Sequence, residues 1–375
     1  MTNAVSKADK ESSGRRPHPL MNDQKLKLGV FGMNCSNGLL ISNAPTSFEM
    51  TWEQTLAIVT KADRMGFEIA LPLGRWRGFG GTTDFNGVSF ETYTWAAGLA
   101  QATSNIAVFA TSHVSTVHPV VAAKQAVTID HISNGRFGIN LVMGWFRPEM
   151  EMFGGSMSEH DARYAYGDEW LDIVQRLWRE EEPFDYNGNH FNLKGVQAHP
   201  KPIRDRPVLI NAGTSGAGLQ FAAKNVDFAF ASIDKPENIS RHLAVTEIAK
   251  TKYDRDVGVF ASALVIARDT EEEARAVYQS ILDQGDWVAA KNMMAVLGIE
   301  SQSFNERLAK SQEKFVAGYG TNALLGTPEQ ITEQLQAYSD YGLKGVVLYF
   351  LDYVKELDYF DRKVMPLLKE AGLRH

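Results

Sequence analysis

The chain has 375 residues, 44% of them hydrophobic and 22% charged, a balance typical of a globular protein. The 38 Lys and Arg against 45 Asp and Glu give a formal net charge of −7, without a basic block for nucleic acid. The single cysteine, Cys35, excludes a disulfide framework. Residues 1–24 predict a flexible tail without a signal peptide, and no apolar run approaches the roughly 20 residues of a membrane span. We therefore expect a cytoplasmic protein that acts on neither nucleic acid nor membrane.

After this tail, short apolar runs rich in β-branched residues alternate with helical patterns. The predicted strands are, in chain order, Leu26–Met33, Glu68–Leu73, Ile106–His113, Arg136–Trp145, Val208–Ala212, Val226–Ile233, Val257–Arg268 and Gly345–Leu351. The predicted helices are Trp52–Met65, Phe90–Thr103, Pro119–Ile132, Glu159–Glu180, Gly218–Lys224, Pro236–Tyr253, Glu271–Leu282, Pro328–Tyr341 and Lys355–Glu370. Capping boxes at Thr270–Glu273 and Thr327–Gln330 predict two of the helix starts.

Eight strands that alternate with helices predict a parallel sheet with helical crossovers. We expect one α/β domain over residues 25–375, folded as a (β/α)8 TIM barrel, with an open doubly wound sheet as the alternative. Extra length follows strand 2 (Gly74–Val88), helix 4 (Pro183–Pro202) and helix 7 (Gln284–Gly326). The second insertion predicts a hairpin with an Asn187-Gly188 turn, and the third (284–326) predicts a mobile cover over the active site.

The carboxyl ends of barrel strands form the active face, and here they carry mostly small and polar residues. The Gly-rich turn at Gly213–Gly218 could bind a phosphate through backbone N–H groups, or be only a tight turn with a helix cap. Its glycine order is not that of the dinucleotide-binding fingerprint. His113, at the end of strand 3, is a candidate general base or substrate hydrogen-bond donor, or else a packed polar residue.

Two other classes of site are disfavoured by spacing. The nine histidines form no H-x-x-x-H or H-E-x-x-H pattern, so no metal site is predicted. Ser215 lacks the context of a hydrolase nucleophile because residue 217 is alanine rather than glycine. Composition and pattern alone therefore predict a barrel enzyme with an undefined cofactor.

Several motifs, collinear from about residue 26 to residue 372, resemble the luciferase-like flavin monooxygenases. They are Thr128–Trp145, Glu159–Tyr164, Ala212–Ser215 and Leu325–Gln330. Within the family, three stretches look like the pyrimidine monooxygenase branch: Arg77–Gly81, Ala110-Thr111 and Asn140–Trp145. Val265–Ala276 looks like the dimethylsulfone monooxygenase branch, and riboflavin lyases are further relatives.

The resemblance implies a two-component monooxygenase on a barrel. Such enzymes take reduced FMN from a separate NAD(P)H-dependent flavin reductase and react it with dioxygen to form a flavin peroxide. The implied substrate is a small N-heterocycle of pyrimidine or flavin type, cleaved at a C–N bond, or a small organosulfur compound. A homodimer or tetramer is implied as well. The alternatives are a flavin-binding relative without oxygenase activity and an F420-dependent oxidoreductase on the same barrel.

The resemblance also assigns roles to individual residues. The implied FMN contacts are Gly74, Arg75, Asn140, Glu149, Arg163, Tyr164, Gly213 and Ser215. Thr111 and Asn140 are implied to flank dioxygen beside the flavin, and His113 completes the predicted catalytic group. The predicted substrate wall consists of Trp76, Phe79 and Trp145. Arg75 replaces a lysine of pyrimidine monooxygenase.

Overall fold

The computed structural model describes residues 17–155, 159–213, 215–233, 236–298 and 306–375. Its strands are β1 (Lys27–Phe31), β2 (Ile69–Leu71), β3 (Ala107–His113), β4 (Phe137–Val142), β5 (Phe184–Asn187), β6 (Asn192–Val196), β7 (Val208–Asn211), β8 (Phe228–Ala231), β9 (Gly258–Ala267), β10 (Ala323–Gly326) and β11 (Gly345–Tyr349). The helices are α1 (Trp52–Arg64), α2 (Thr92–Ala102), α3 (Pro119–Ile132), α4 (Arg147–Met152), α5 (His160–Arg179), α6 (Gly216–Asn225), α7 (Ile239–His242), α8 (Ala244–Tyr253), α9 (Glu271–Asp283), α10 (Trp287–Val296), α11 (Glu306–Val316), α12 (Pro328–Asp340), α13 (Tyr353–Lys363) and α14 (Met365–Glu370). Pro19–Met21 and Pro236–Asn238 form 3₁₀ turns.

Within the described residues, eight parallel strands close into a barrel in the order β1-β2-β3-β4-β7-β8-β9-β11. The ring closes where β11 pairs with β1, with Gly345 opposite Lys27. Helices cover the outside, so these strands are buried on both faces and their sequences are apolar almost throughout. The predicted TIM barrel is confirmed. The short strand β10 was not predicted; it pairs with the far end of β9 outside the ring.

Helix boundaries follow local chemistry. The capping boxes at Thr270 and Thr327 are both present, each with its reciprocal side-chain bond. The predicted closing helix Lys355–Glu370 is instead two helices, α13 and α14. Pro366 lies in the first turn of α14, where a backbone N–H has no helical partner in any case. A new helix can therefore begin there. The predicted helix Pro236–Tyr253 is likewise divided into a 3₁₀ turn, α7 and α8.

A hairpin of β5 and β6 follows α5, as the second insertion predicted. Its loop spans Gly188–Phe191, so the expected two-residue Asn187-Gly188 turn is wrong. The carboxylate of Glu169 on α5 accepts hydrogen bonds of 2.9 Å from the backbone N–H groups of Asn189 and His190. These two bonds hold the four-residue loop against α5.

The segment 284–326 packs on the loop that follows β2; its residues 299–305 lie outside the described part of the chain. Asp286 accepts hydrogen bonds from the backbone N–H (2.7 Å) and the hydroxyl (2.9 Å) of Thr83. Asn292 on α10 donates to the carbonyl of Phe79 at 2.8 Å. Two insertions distant in sequence therefore form one joined cover beside the barrel mouth. Movement of this cover remains a prediction.

The amino-terminal residues that the structure describes are packed. Of the predicted tail, residues 1–16 lie outside the described part, whereas His18 and Leu20 are buried on the barrel. The packed chain thus begins before residue 25, the expected start of the domain. In the described ranges, no helix combines the length and the apolar character that a membrane crossing requires.

A buried ion pair closes the amino end of the barrel. Arg374 donates to the carboxylate of Glu68 at 2.6 Å and to the carbonyls of Leu26 and Gly66, and both charged side chains are almost fully buried. The same carboxylate accepts from the backbone N–H of Leu28 at 2.8 Å. The pair therefore ties the carboxyl terminus to the edges of β1 and β2.

We expect Arg374→Met to lower the free energy of unfolding by about 3–5 kcal/mol, because it leaves Glu68 buried without its cation. The measurement is urea denaturation followed by circular dichroism. The matched control is Lys25→Met, since Lys25 pairs with Asp340 on the exposed surface and should cost about 1 kcal/mol or less. Equal losses in the two variants would contradict the role given to the buried pair.

Candidate functional site

Thr111 and Asn140 lie opposite each other at the carboxyl ends of β3 and β4. Thr111 donates its hydroxyl proton to the carbonyl of Pro72 at 2.6 Å, so its oxygen can only accept from Asn140. The Asn140 amide nitrogen accordingly donates to Thr111 at 3.2 Å. Both side chains are buried, and no described residue donates to Asn140 Oδ1. The arrangement presents a fixed, buried acceptor without a partner, which is costly unless a ligand satisfies it.

Gly74 and His113 adjoin this pair. A Cβ built at Gly74 would lie 2.9 Å from Thr111 Cγ2 and 3.2 Å from His113 Cε1, so no side chain fits there without displacement. Burial lowers the pKa of His113 to about 4, and the charge of Arg75 acts in the same direction. His113 is therefore neutral at pH 7. A neutral imidazole can accept or donate a hydrogen bond, so the structure leaves both predicted roles open.

Arg75 is a buried cation with few partners. Its Nη1 lies 3.5 Å from Glu149 Oε1, and its Nη2 donates to the hydroxyl of Tyr319 at 3.0 Å. Nε and Nη1 have no hydrogen-bond partner among the residues that the structure describes. The Glu149 carboxylate also accepts from the backbone N–H groups of Trp76 (2.7 Å) and Arg77 (3.3 Å). Glu149, a predicted flavin contact, is thus engaged by Arg75 and by the loop after β2.

Aromatic rings enclose the Arg75 guanidinium. The rings of Phe79 and Trp145 stack with centroids 6.1 Å apart, and the Arg75 Cζ lies 5.2 Å from each. Trp76 lies apart from them: it is 42% exposed and packs edge-on against Phe153. Of the three residues of the predicted substrate wall, the structure brings together Phe79 and Trp145 but not Trp76.

A second cluster forms at the start of α6. Ser215 caps this helix by accepting from the backbone N–H of Gly218 at 3.1 Å. A Cβ at Gly213 would collide with the Tyr164 hydroxyl, and one at Gly218 would lie 2.7 Å from it. The predicted residues Gly213 and Ser215, from the turn before α6, and Tyr164, from α5, are therefore brought together. Thr214, in the middle of this turn, lies outside the described residues.

Arg163 joins this cluster to the loop after β4. Its Nη1 donates to the carbonyl of Gly144, while its Nε has no partner among the described residues. Asn211, at the end of β7, donates to the carbonyl of Leu141 at 2.8 Å and accepts from the N–H of Gly213. Because β4 and β7 are neighbouring strands, the Asn140 cluster and the Ser215 cluster lie at the same end of the barrel.

Sequence reasoning missed Tyr319 and Asn86. Tyr319 contacts Arg75 from the third insertion, and Asn86 contacts Tyr319 from the first. Both residues lie in Gly-rich stretches between regular elements, Tyr319 after α11 and Asn86 before Gly87, where no periodicity predicts a position. The available signal was that functional residues are often on loops, and Tyr319 is an aromatic residue between Gly318 and Gly320.

The chain matches the family model described as luciferase-like monooxygenase over residues 26–345. It is 35% identical over 361 residues to pyrimidine monooxygenase RutA of Bradyrhizobium sp. strain BTAi1, covering 93% of this chain and 99% of that protein. Among solved structures it is similar to riboflavin lyase (RcaE) with modified FMN and substrate riboflavin, with a TM-score of 0.84, 19% identity and coverage of 93% and 92%. It is also similar to DmoA from Hyphomicrobium sulfonivorans, with a TM-score of 0.82, 18% identity and coverage of 93% and 89%. At these identities the two structures support the fold.

The depressed pKa of His113 predicts a pH-dependent stability. Between pH 6.5 and about 4 the unfolded chain binds a proton at His113 that the folded chain does not. The free energy of unfolding should therefore fall by up to about 3 kcal/mol as pH decreases through this window, in addition to other titrations. His113→Gln should lose this part of the dependence, and the exposed-site variant His190→Gln should keep it. The unfolding free energy is measured by urea denaturation at several pH values. If it depends on pH in the same way in wild type and His113→Gln, the lowered pKa of His113 is contradicted.

Proposed function

Because the chain belongs to the luciferase-like monooxygenase family, whose members depend on flavin and dioxygen, we propose that it is a two-component FMNH2-dependent monooxygenase that cleaves a C–N bond of a small pyrimidine-type heterocycle. The reduced flavin would come from a separate NAD(P)H-dependent reductase. The observation that carries the proposal is Asn140 Oδ1, a buried acceptor at the barrel mouth that no described residue satisfies. The substrate class is supported by 35% identity to a pyrimidine monooxygenase over nearly the whole chain.

The donors and acceptors of the site fit FMN. The flavin ring carries N–H groups that need acceptors, and Asn140 Oδ1 is one in a dry position. Gly74 lets the loop after β2 pack closely on Thr111 and His113, since a Cβ there would lie 2.9 Å from Thr111 Cγ2. At the other cluster, the start of α6 offers backbone N–H groups, with Ser215 and Tyr164 adding hydroxyls, which together suit a phosphate. Asn140 would hold the ring and the α6 turn would hold the phosphate.

When bound, the reduced flavin supplies the electrons that activate dioxygen. The protein's part is to orient and to exclude water. Thr111, with its proton committed to Pro72, keeps the Asn140 amide in one orientation. Phe79 and Trp145 stack beside the Arg75 guanidinium. The Nε and Nη1 groups of Arg75, which no described residue accepts from, suit the carbonyl oxygens of a flavin or pyrimidine ring.

The direct test is turnover with FMN, a flavin reductase and NADH, in the presence of uracil, dimethyl sulfone or riboflavin. We expect oxygen consumption coupled to an oxidised pyrimidine product, detected by mass spectrometry. A product from only dimethyl sulfone would show that the substrate class is organosulfur, and a product from only riboflavin would show that it is of flavin type. Tight FMN binding without any coupled product would favour the flavin-binding alternative, and binding of F420 instead of FMN would favour the deazaflavin oxidoreductase.

Thr111→Val should reduce product formation at least about tenfold while leaving the fold intact. Valine keeps the shape but removes the acceptor that fixes the Asn140 amide, and tenfold corresponds to about 1.4 kcal/mol of transition-state stabilisation. The measurement is the coupled rate at saturating reduced FMN. Thr128→Val, an exposed hydroxyl on α3 that bonds only the carbonyl of Lys124, is the matched control. A wild-type rate in Thr111→Val would contradict the orienting role.

Tyr164→Phe should weaken FMN binding about 10- to 100-fold, as expected for losing one hydrogen bond to a charged group. The phenol hydroxyl that faces Gly213 and Gly218 is removed while the ring that packs on Phe221 remains. FMN fluorescence titration measures the change. Tyr166→Phe is the control on the same helix, because Tyr166 packs against His190 and Phe191 of the hairpin. If the two variants bind FMN equally, the phosphate does not lie at this turn.

A further inference from the structure

Tyr319 reaches the site from the insertion that follows α9, and through it the segment 284–326 contacts Arg75. Its hydroxyl lies 3.0 Å from Arg75 Nη2 and 3.2 Å from Asn86 Oδ1. Arg75 belongs to the loop after β2, and so does Asn86. One phenol oxygen therefore connects two points of one loop to a segment more than 200 residues away.

The direction of these hydrogen bonds is determined by Asn86. Its amide nitrogen donates to the carbonyls of Ser36 (3.0 Å) and Gly38 (2.9 Å), so its Oδ1 must be the atom that faces Tyr319. Tyr319 is then the donor to Asn86, and only its lone pairs remain for Arg75. Burial raises the pKa of Tyr319 above that of an ordinary phenol, so the hydroxyl keeps its proton at neutral pH. The phenol can serve Arg75 as an acceptor and in no other way.

The backbone around Tyr319 is held in an unfavourable conformation by packing. Gly318, Tyr319 and Gly320 all have positive φ angles, of 126°, 54° and 74°. A non-glycine residue adopts such an angle infrequently. A side chain at Gly318 would collide with the Tyr349 hydroxyl, which also donates to the Gly318 carbonyl at 3.1 Å. These contacts fix where the Tyr319 side chain enters the site.

We propose that Tyr319 is a positioning residue of the flavin site that acts through Arg75. Its oxygen holds the guanidinium by Nη2, so that Nε and Nη1 stay available to the flavin or substrate. Glu149, 3.5 Å from Nη1, balances the charge but does not replace this bond. The inference rests on the proposed function, because it requires a flavin close to Arg75.

The test is a double-mutant cycle on FMN affinity, measured by fluorescence titration and accompanied by urea denaturation. Tyr319→Phe should weaken FMN binding about tenfold, on the order of one hydrogen bond to a charged group. In the Arg75→Met background the same change should alter the affinity less than about twofold, because the residue through which Tyr319 acts is gone. Tyr341→Phe, an exposed tyrosine at the end of α12, should change nothing. Arg75→Gln replaces Arg75→Met should the latter not fold.

A merely structural role for Tyr319 gives a different pattern. Its loss would then weaken FMN binding equally with Arg75 present and in the Arg75→Met background, in step with the loss of unfolding free energy, and that additivity would overturn the proposal. Equal FMN affinity of wild type and Tyr319→Phe would overturn this inference while leaving the proposed function standing. Wild-type protein that binds neither oxidised nor reduced FMN would overturn both.

Discussion

The hydroxyl proton of Thr111 is donated to the carbonyl of Pro72, and the polarity of the site depends on that one bond. Once the proton is committed, Thr111 can only accept, so Asn140 must present its amide nitrogen to Thr111 and leave Oδ1 without a partner among the described residues. The register between β3 and β4 makes this possible, because it places Thr111 directly opposite Asn140. A main-chain carbonyl of the loop after β2 thereby determines which atom meets a ligand.

In the joined cover, too, backbone carbonyls determine the direction of a hydrogen bond. Asn86, held by two carbonyls, determines the direction of the Tyr319 hydroxyl, and Tyr319 in turn holds Arg75. Each series of hydrogen bonds begins at a backbone carbonyl, which determines the direction of every bond that follows. Each series ends at a buried group that has an atom without a partner, Asn140 Oδ1 in the first and the Arg75 guanidinium in the second. Leaving these two buried polar groups unpaired costs stability, which favours a ligand that satisfies them.

The barrel could be derived from the sequence because its signals are local, whereas most of the candidate site residues came from the resemblance and stay predictions. Strands buried on both faces are apolar throughout, and capping boxes such as Thr270–Glu273 mark helix starts. The helix break at Pro366 was also a local signal, but the apolar pattern on both sides of it hid the boundary. What could not be predicted depends on contacts between distant segments: Arg374 with Glu68, and Tyr319 with Arg75. Nor does sequence indicate that Trp76 turns to the surface while Phe79 packs inside.

The most direct test of the account is a crystal structure of the protein with FMN, at a resolution that distinguishes the orientation of the Asn140 amide by its hydrogen-bond partners. The account predicts a flavin ring N–H within hydrogen-bond distance of Asn140 Oδ1, with Thr111 still donating to Pro72. It also predicts that the phosphate lies at the start of α6, in contact with Tyr164 and Ser215. A flavin bound elsewhere, with Asn140 Oδ1 unengaged, would contradict the central claim.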